Sequence, residues 1–171
     1  GFGAVTGLTP VQDVNGTREH KDTIYFRAVM QRPCDAHGGD FYERFKKWCD
    51  EYFYLPHRDE PRGVGGIFYD YVDTGDWEAD FAFTQDVGRA FLDVYPKIIA
   101  AHMNEPWTAE QREHQLVRRG RYFVYNLLHD RGTHFGLTTS GTVDAILLPR
   151  AHEVTWRCQT SCAVGGGRPR R

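Results

Sequence analysis

Cysteine, long apolar runs and net charge are what this sequence has least of, and each shortage excludes something. Cys34, Cys49, Cys158 and Cys162 are the only thiols in 171 residues, too few for a disulfide framework, which favours a reducing, cytosol-like compartment. Cys34 and Cys49 fall in helical patterns, where a reduced thiol behaves as a small hydrophobe. Cys158 and Cys162 lie in a polar stretch without a second ligand pair, so a structural zinc is not expected there. No apolar run approaches the roughly 20 residues that cross a bilayer, so no transmembrane segment is expected. The opening Gly1-Phe2-Gly3 lacks the basic start and apolar stretch of a secretory signal. A formal charge of -2 gives no general attraction for nucleic acid or anionic lipid, so an anionic ligand would need a local group of bases.

What the chain does have is rings. Aromatic residues make up 14% and apolar residues 40% of the sequence, with a mean hydropathy of -0.57. A globular unit with a ring-rich interior follows, and a domain of about this size hides roughly 70% of its unfolded surface.

Periodicity divides the chain. The opening is Gly-rich through Gly7, residues 8–11 read as a short strand, and Asn15-Gly16 is a turn signal. Residues 22–37 read as a helix that Pro33 bends or restarts, and Gly38-Gly39 ends it. Asp40 is a candidate N-cap for a helix in which Phe41, Phe45, Trp48, Cys49 and Tyr52 recur at spacings of three and four. A charged loop over 56–66 feeds a strand over 67–72. A long helix is predicted over 77–102, kinked at Pro96. Thr108 with Gln111 forms a capping-box pattern for a helix running to about Arg118. The tail from Arg157 has nothing to bury and reads as disordered, leaving residues 1–156 as the folded domain. Strands beside helices without regular alternation favour an α+β fold with an antiparallel sheet.

The most informative stretch begins at Arg118-Arg119-Gly120-Arg121. Tyr122, Phe123, Val124, Tyr125, Leu127 and Leu128 are aromatic, β-branched or bulky, so 122–129 reads as a buried strand. Asp130-Arg131-Gly132-Thr133 then reads as a turn leading to a second strand over 135–139, a hairpin with an acid and a base at its tip. A carboxylate and a guanidinium at the rim of a sheet suit a multiply charged ligand with polar edges.

These residues also resemble a known family. Arg118-Arg119-Gly120-Arg121-Tyr122, Asn126-Leu127-Leu128, Asp130-Arg131-Gly132-Thr133 and Phe135-Gly136-Leu137 are similar to the signature of oxygen-dependent coproporphyrinogen III oxidases. Three further stretches match in order: Leu8-Thr9-Pro10, then Phe45 to Phe53, then His57-Arg58 with Glu60 and Arg62-Gly63-Val64-Gly65-Gly66-Ile67-Phe68. The likeness runs from about Phe2 to Trp156. It implies oxidative decarboxylation of two propionates of coproporphyrinogen III in haem biosynthesis, a flat antiparallel sheet covered by helices on both faces, and a homodimer joined through about 122–156. Molecular oxygen is the implied co-substrate, with no organic cofactor. A cytoplasmic location follows, or the mitochondrial intermembrane space in a eukaryote.

The resemblance assigns roles. Asp130 would face the pyrrole nitrogens, where an ionised carboxylate can accept several N–H donors and stabilise developing positive charge. Arg131 stands beside it as the second catalytic candidate. Arg58 and Arg62 lie in a Gly-flanked loop as binders of propionate, which a guanidinium holds through two parallel hydrogen bonds. Ser140, Gly141 and Thr142 align with a segment that meets substrate through its backbone, and glycine permits such approach. His57 matches a position proposed in the bacterial branch to bind a divalent metal. Tyr25 stands where that branch carries the partner histidine.

Some positions depart from the pattern. Gly7 occupies the place of an aspartate, Val124 that of a glutamate and His129 that of an aromatic. The match begins about halfway through the family's sequence, so a C-terminal fragment or decayed copy is expected, weakly active or inactive alone. The rival is then a non-catalytic dimerisation or tetrapyrrole-binding protein. An echo of an RNA-binding pattern at Arg119-Gly120 and Phe123-Val124 fails where Arg121 and Tyr122 replace its stacking residues, so nucleic acid is not an expected partner.

Overall fold

Seventeen residues from Lys21 to His37 form α1, and they do so because Phe26, Val29, Met30, Pro33 and Cys34 recur on one face and are buried. The computed structural model describes residues 1–8, 21–139, 141–147 and 153–156. In chain order these form β1 (Phe2–Leu8), α1 (Lys21–His37), α2 (Phe41–Tyr52), β2 (Tyr54–Leu55), β3 (Glu60–Pro61), β4 (Val64–Val72), α3 (Trp77–His102), α4 (Ala109–Leu128), α5 (Arg131–Thr138) and α6 (Val143–Leu147). The fold is α+β, as expected: β1 pairs antiparallel with β4, β2 with β3, and helices pack on the larger sheet.

Three apolar groups hold it. Phe45 of α2, Tyr69 of β4 and Phe83 of α3 meet at ring centroids 5.0–5.8 Å apart, joined by Cys34, Ile67, Val72 and Val87. Phe26, Val29 and Met30 of α1 pack on Val94 and Ile98 of α3. Cys49, Phe53, Leu55 and Tyr125 form the third group, against Phe68 and Tyr52. Burying each such side chain contributes on the order of 1.5–3 kcal/mol. α1 continues through Pro33, while α3 carries Pro96 inside it and begins where Asp76 accepts from the Ala79 amide at 3.0 Å.

β4 is longer at its start than the alternation predicts, and the charged loop before it contains the β2–β3 hairpin. The Gly-rich opening is itself strand: β1 covers Phe2–Leu8 rather than starting at Leu8. Residues 9–11 of the expected strand, the Asn15-Gly16 turn, Ser140 and the tail from Arg157 lie outside the described residues. Asp40 precedes α2, but its carboxylate reaches Arg44 at 3.5 Å rather than capping an amide.

The predicted hairpin after Arg118 is not formed. α4 starts at the expected Thr108–Gln111 capping box but runs on to Leu128, and Arg131–Thr138 is a second helix. Tertiary docking explains the reversal. Arg118, Arg121 and Tyr125 lie at helical spacing and face the β2–β3 hairpin. Arg121 pairs with Glu60, and Arg118 donates to the carbonyls of Pro61 and Arg62 at 3.2 Å. Propensity over a short apolar run yields to such anchoring.

Candidate active site

Asp130 sits between α4 and α5 and is the N-cap of α5. Its Oδ2 accepts from the Thr133 amide and from Thr133 Oγ1, both at 2.7 Å. The acid is therefore fixed by the local rule that puts Asp before a helix, rather than by a hairpin turn. Thr133 is buried, and Asp130 itself is half-buried.

Arg62 follows β3 and turns its guanidinium onto rings. Its Cζ lies 3.9 Å from the Phe53 ring centre, 4.6 Å from Tyr122 and 5.1 Å from Tyr125. The backbone is held too, its amide donating to the Phe53 carbonyl at 2.9 Å. Burial lowers the pKa of this guanidinium, opposed by Tyr122, Tyr125, Cys49 and the Asp130 carboxylate.

Arg131 is exposed. Its Nη2 reaches Asp70 Oδ2 of β4 at 3.2 Å, and its Cζ lies 5.7 Å from the Tyr52 ring centre. Tyr52 first, and Asp70 after it, raise the Arg131 pKa and hold it charged. Tyr52 stacks on Phe68 at 4.7 Å and meets Phe53 and Tyr125 edge-on at 4.9 and 5.8 Å. Phe53, Tyr52 and Tyr125 therefore form one packed aromatic wall with Arg62 at one end and Arg131 at the other, Phe53 and Tyr125 buried within it and Tyr52 half-buried at its edge. Burial, and then Tyr52, push the Tyr125 phenol up, so it stays protonated at neutral pH.

The remaining candidates divide. Arg58 is half-buried, its amide donates to the Leu55 carbonyl at 3.0 Å, and among the described residues its Nε has no hydrogen-bond partner. His57 is exposed and stacks on His129 at 6.1 Å, which in turn lies 5.8 Å from Tyr125. Among the described residues no group of three or more His, Cys, Asp or Glu gathers to hold a metal; His57 and His129 are two imidazoles, short of the three or four ligands that hold a divalent ion. Gly141 and Thr142 make their contacts along α5 and α6: the Gly141 amide donates to the Gly136 carbonyl at 3.2 Å, and the Thr142 carbonyl accepts from Ile146 at 3.1 Å.

Sequence reasoning missed Tyr52, Asp70 and Tyr125 as parts of this group. Tyr52 read as the last member of a helical apolar stripe, and Asp70 was one position of the strand over 67–72 with no role assigned. Only the 61-residue separation between Asp70 and Arg131, closed in space, reveals the link. The buried thiols add no nucleophile. Burial raises Cys49 to about 11 and Cys34 to about 12, and thiolate chemistry requires the opposite.

The half-buried Asp130 and the exposed Arg131 thus set an acid beside a base at the open edge of a ring cluster whose interior is closed. Comparison with known proteins agrees with the sequence signature. The family described as coproporphyrinogen III oxidase matches residues 1–168. The oxygen-dependent coproporphyrinogen-III oxidase of Rickettsia africae (strain ESF-5) is 56% identical over 153 residues, covering 90% of this chain and 53% of that protein. Those of Rickettsia bellii (strain OSU 85-389) and Rickettsia akari (strain Hartford) are 54% identical over 155 residues and 55% identical over 153. The chain belongs to the coproporphyrinogen III oxidase family. It spans about half the length of these relatives.

Proposed function

We propose that this chain carries the acid–arginine half of an oxygen-dependent coproporphyrinogen III oxidase and binds coproporphyrinogen III, with molecular oxygen as co-substrate and no organic cofactor. The observation that carries the reading is the accessible edge formed by Asp130, Arg131 and Tyr52, backed by the buried rings of Phe53 and Tyr125 with Arg62 over them. Arg131, Arg62 and Arg58 receive propionates through paired hydrogen bonds. Asp130 accepts pyrrole N–H groups and stabilises the charge that grows on the ring as it gives up electrons.

The chemistry asks little else of the protein. Converting a propionate arm to a vinyl group releases carbon dioxide and a hydride equivalent, which is one proton and two electrons. Oxygen takes the electrons with two protons to give peroxide. The chain supplies orientation and a fixed negative charge. Ser140, Gly141 and Thr142 meet the substrate through their backbone, and a second copy joins through about 122–156, consistent with the exposed Phe135, Leu128 and Trp156. A cytoplasmic setting accords with the bacterial relatives.

The test is fluorescence titration of the purified chain with coproporphyrin III, followed by oxygen uptake with coproporphyrinogen. Saturable binding weakened by both Asp130→Ala and Arg131→Ala is expected. Binding insensitive to both substitutions refutes the site. Binding without oxygen uptake selects a tetrapyrrole-binding role for the isolated chain over catalysis.

A further inference from the structure

β4 carries one residue more than β1 can match beside Arg131. Phe2 pairs with Val72 and Ala4 with Tyr69, so two steps on β1 face three on β4, and the extra residue falls at Asp70-Tyr71. Tyr71 has φ of 55°, a left-handed conformation that costs an L-residue with a bulky side chain roughly 1–2 kcal/mol. Strain of this kind persists where the surroundings impose it, and bulges re-aim side chains next to functional sites.

The surroundings do impose it. A Cβ on Gly1 would stand 2.9 Å from the Tyr71 backbone, and one on Gly3 would stand 2.9 Å from Asp70 Oδ1. Gly1, just before β1, and Gly3 within it thus leave the room that the bulge fills. Asp70 Oδ1 accepts from the Tyr71 amide at 3.1 Å, which frees Oδ2 for Arg131 Nη2 at 3.2 Å. The Tyr71 ring is turned outward and is 75% exposed, and its phenol is close enough to act on the charge of Arg131. A strained, exposed aromatic and a carboxylate bound to a candidate catalytic arginine therefore share one bulge.

We propose that the Asp70-Tyr71 bulge is part of the substrate site, Asp70 as the positioning residue that orients Arg131 and Tyr71 as a ring face for the flat tetrapyrrole. This rests on the functional reading above. Asp70 holds Arg131 Nη2 and Tyr52 also engages the guanidinium, which leaves its remaining N–H donors to a propionate, while Tyr71 offers an exposed ring on β4 next to Asp70.

The experiment is titration of the full chain with coproporphyrin III alongside thermal unfolding. Tyr71→Gly relieves the left-handed strain and removes the ring, so Tm is expected to hold or rise while affinity falls about tenfold. Tyr71→Phe is expected to keep affinity within about twofold, because the ring face remains. Asp70→Asn is expected to weaken binding about threefold and to add nothing once Arg131→Ala is present, as coupled residues do. Unchanged affinity in Tyr71→Gly, a lowered Tm in that variant, or an Asp70→Asn effect that persists beside Arg131→Ala overturns the inference and leaves the functional reading standing. Weakened binding in Tyr71→Gly with full binding in Asp130→Ala and Arg131→Ala overturns the functional reading and keeps the Tyr71 surface. No binding by the unaltered chain overturns both.

Discussion

Arg121 on α4 is buried to 8% exposure and is ion-paired through Nε with Glu60 on β3. That contact decides where α4 lies, because Arg118 adds a weaker approach to the same carboxylate at 3.9 Å. With Arg121 Nη1 buried and without a partner among the described residues, the guanidinium depends on Glu60 for its charge compensation.

Glu60→Ala is therefore expected to be costly. Removing one member of a buried pair leaves the other charge uncompensated and destabilises by about 3–5 kcal/mol, and the partial exposure of Glu60 places this case at about 3 kcal/mol. Urea unfolding measures it. Glu60→Leu combined with Arg121→Met is expected to recover most of the loss, because the uncompensated charge is gone. A loss below about 0.5 kcal/mol in Glu60→Ala, the level of an exposed pair, would contradict the docking role.

The same pair explains which parts of the chain were legible in the sequence. α1, α2 and α3 were readable because their apolar residues recur at three and four over several turns. The start of α4 was readable through a local cap, Thr108 with Gln111. Its second half was not, because Tyr122 to Tyr125 carry strand-like side chains and the forces that make them helical come from Glu60 and the hairpin, far away in sequence. Asp130 and Arg131 were legible by residue type, but their neighbours were not. A motif names the acid, whereas only the fold brings Asp70 and Tyr52 to Arg131.

Arg62 tests the aromatic wall. Its guanidinium meets Phe53, Tyr122 and Tyr125, and a lysine ammonium cannot reproduce a planar group lying over ring faces. Arg62→Lys is expected to lower stability by about 1–2 kcal/mol, the sum of partly desolvated cation–π contacts. It is also expected to weaken coproporphyrin III binding severalfold. Chemical denaturation and titration on the same sample separate the two effects. Wild-type stability and affinity in Arg62→Lys would show that charge alone is needed there.

Gly66 should tolerate no side chain. A Cβ there would overlap Thr6 Oγ1 and lie 2.9 Å from Phe26 Cε1, and both neighbours are buried. Thr6 cannot move freely, since its Oγ1 accepts from the Ile67 amide at 2.9 Å and bridges the second irregularity between β1 and β4. Gly66→Ala is expected to cost about 1–3 kcal/mol as overpacking, read as a lowered Tm. The same substitution at Gly88, where a Cβ meets nothing within 4 Å in the middle of α3, is expected to stabilise by about 0.4–1 kcal/mol.

His102 gives the fold a pH dependence whose sign is fixed. At the end of α3 its Nδ1 meets Glu105 Oε2 at 2.9 Å and its Nε2 meets Asp22 Oδ2 of α1 at 2.7 Å. Glu105 first, and Asp22 after it, raise the His102 pKa above its ordinary value. The folded state therefore binds the proton more tightly than the unfolded chain. That contribution is complete below the unfolded value of about 6.5 and is lost as pH rises through the folded pKa. Urea unfolding between pH 6 and pH 9 is expected to show the α1–α3 contact weakening on the alkaline side, and His102→Gln is expected to flatten that slope. An unchanged slope in the variant would place the titrating group elsewhere, since His37 of α1 also meets a carboxylate of α3, Asp86 Oδ2 at 2.9 Å.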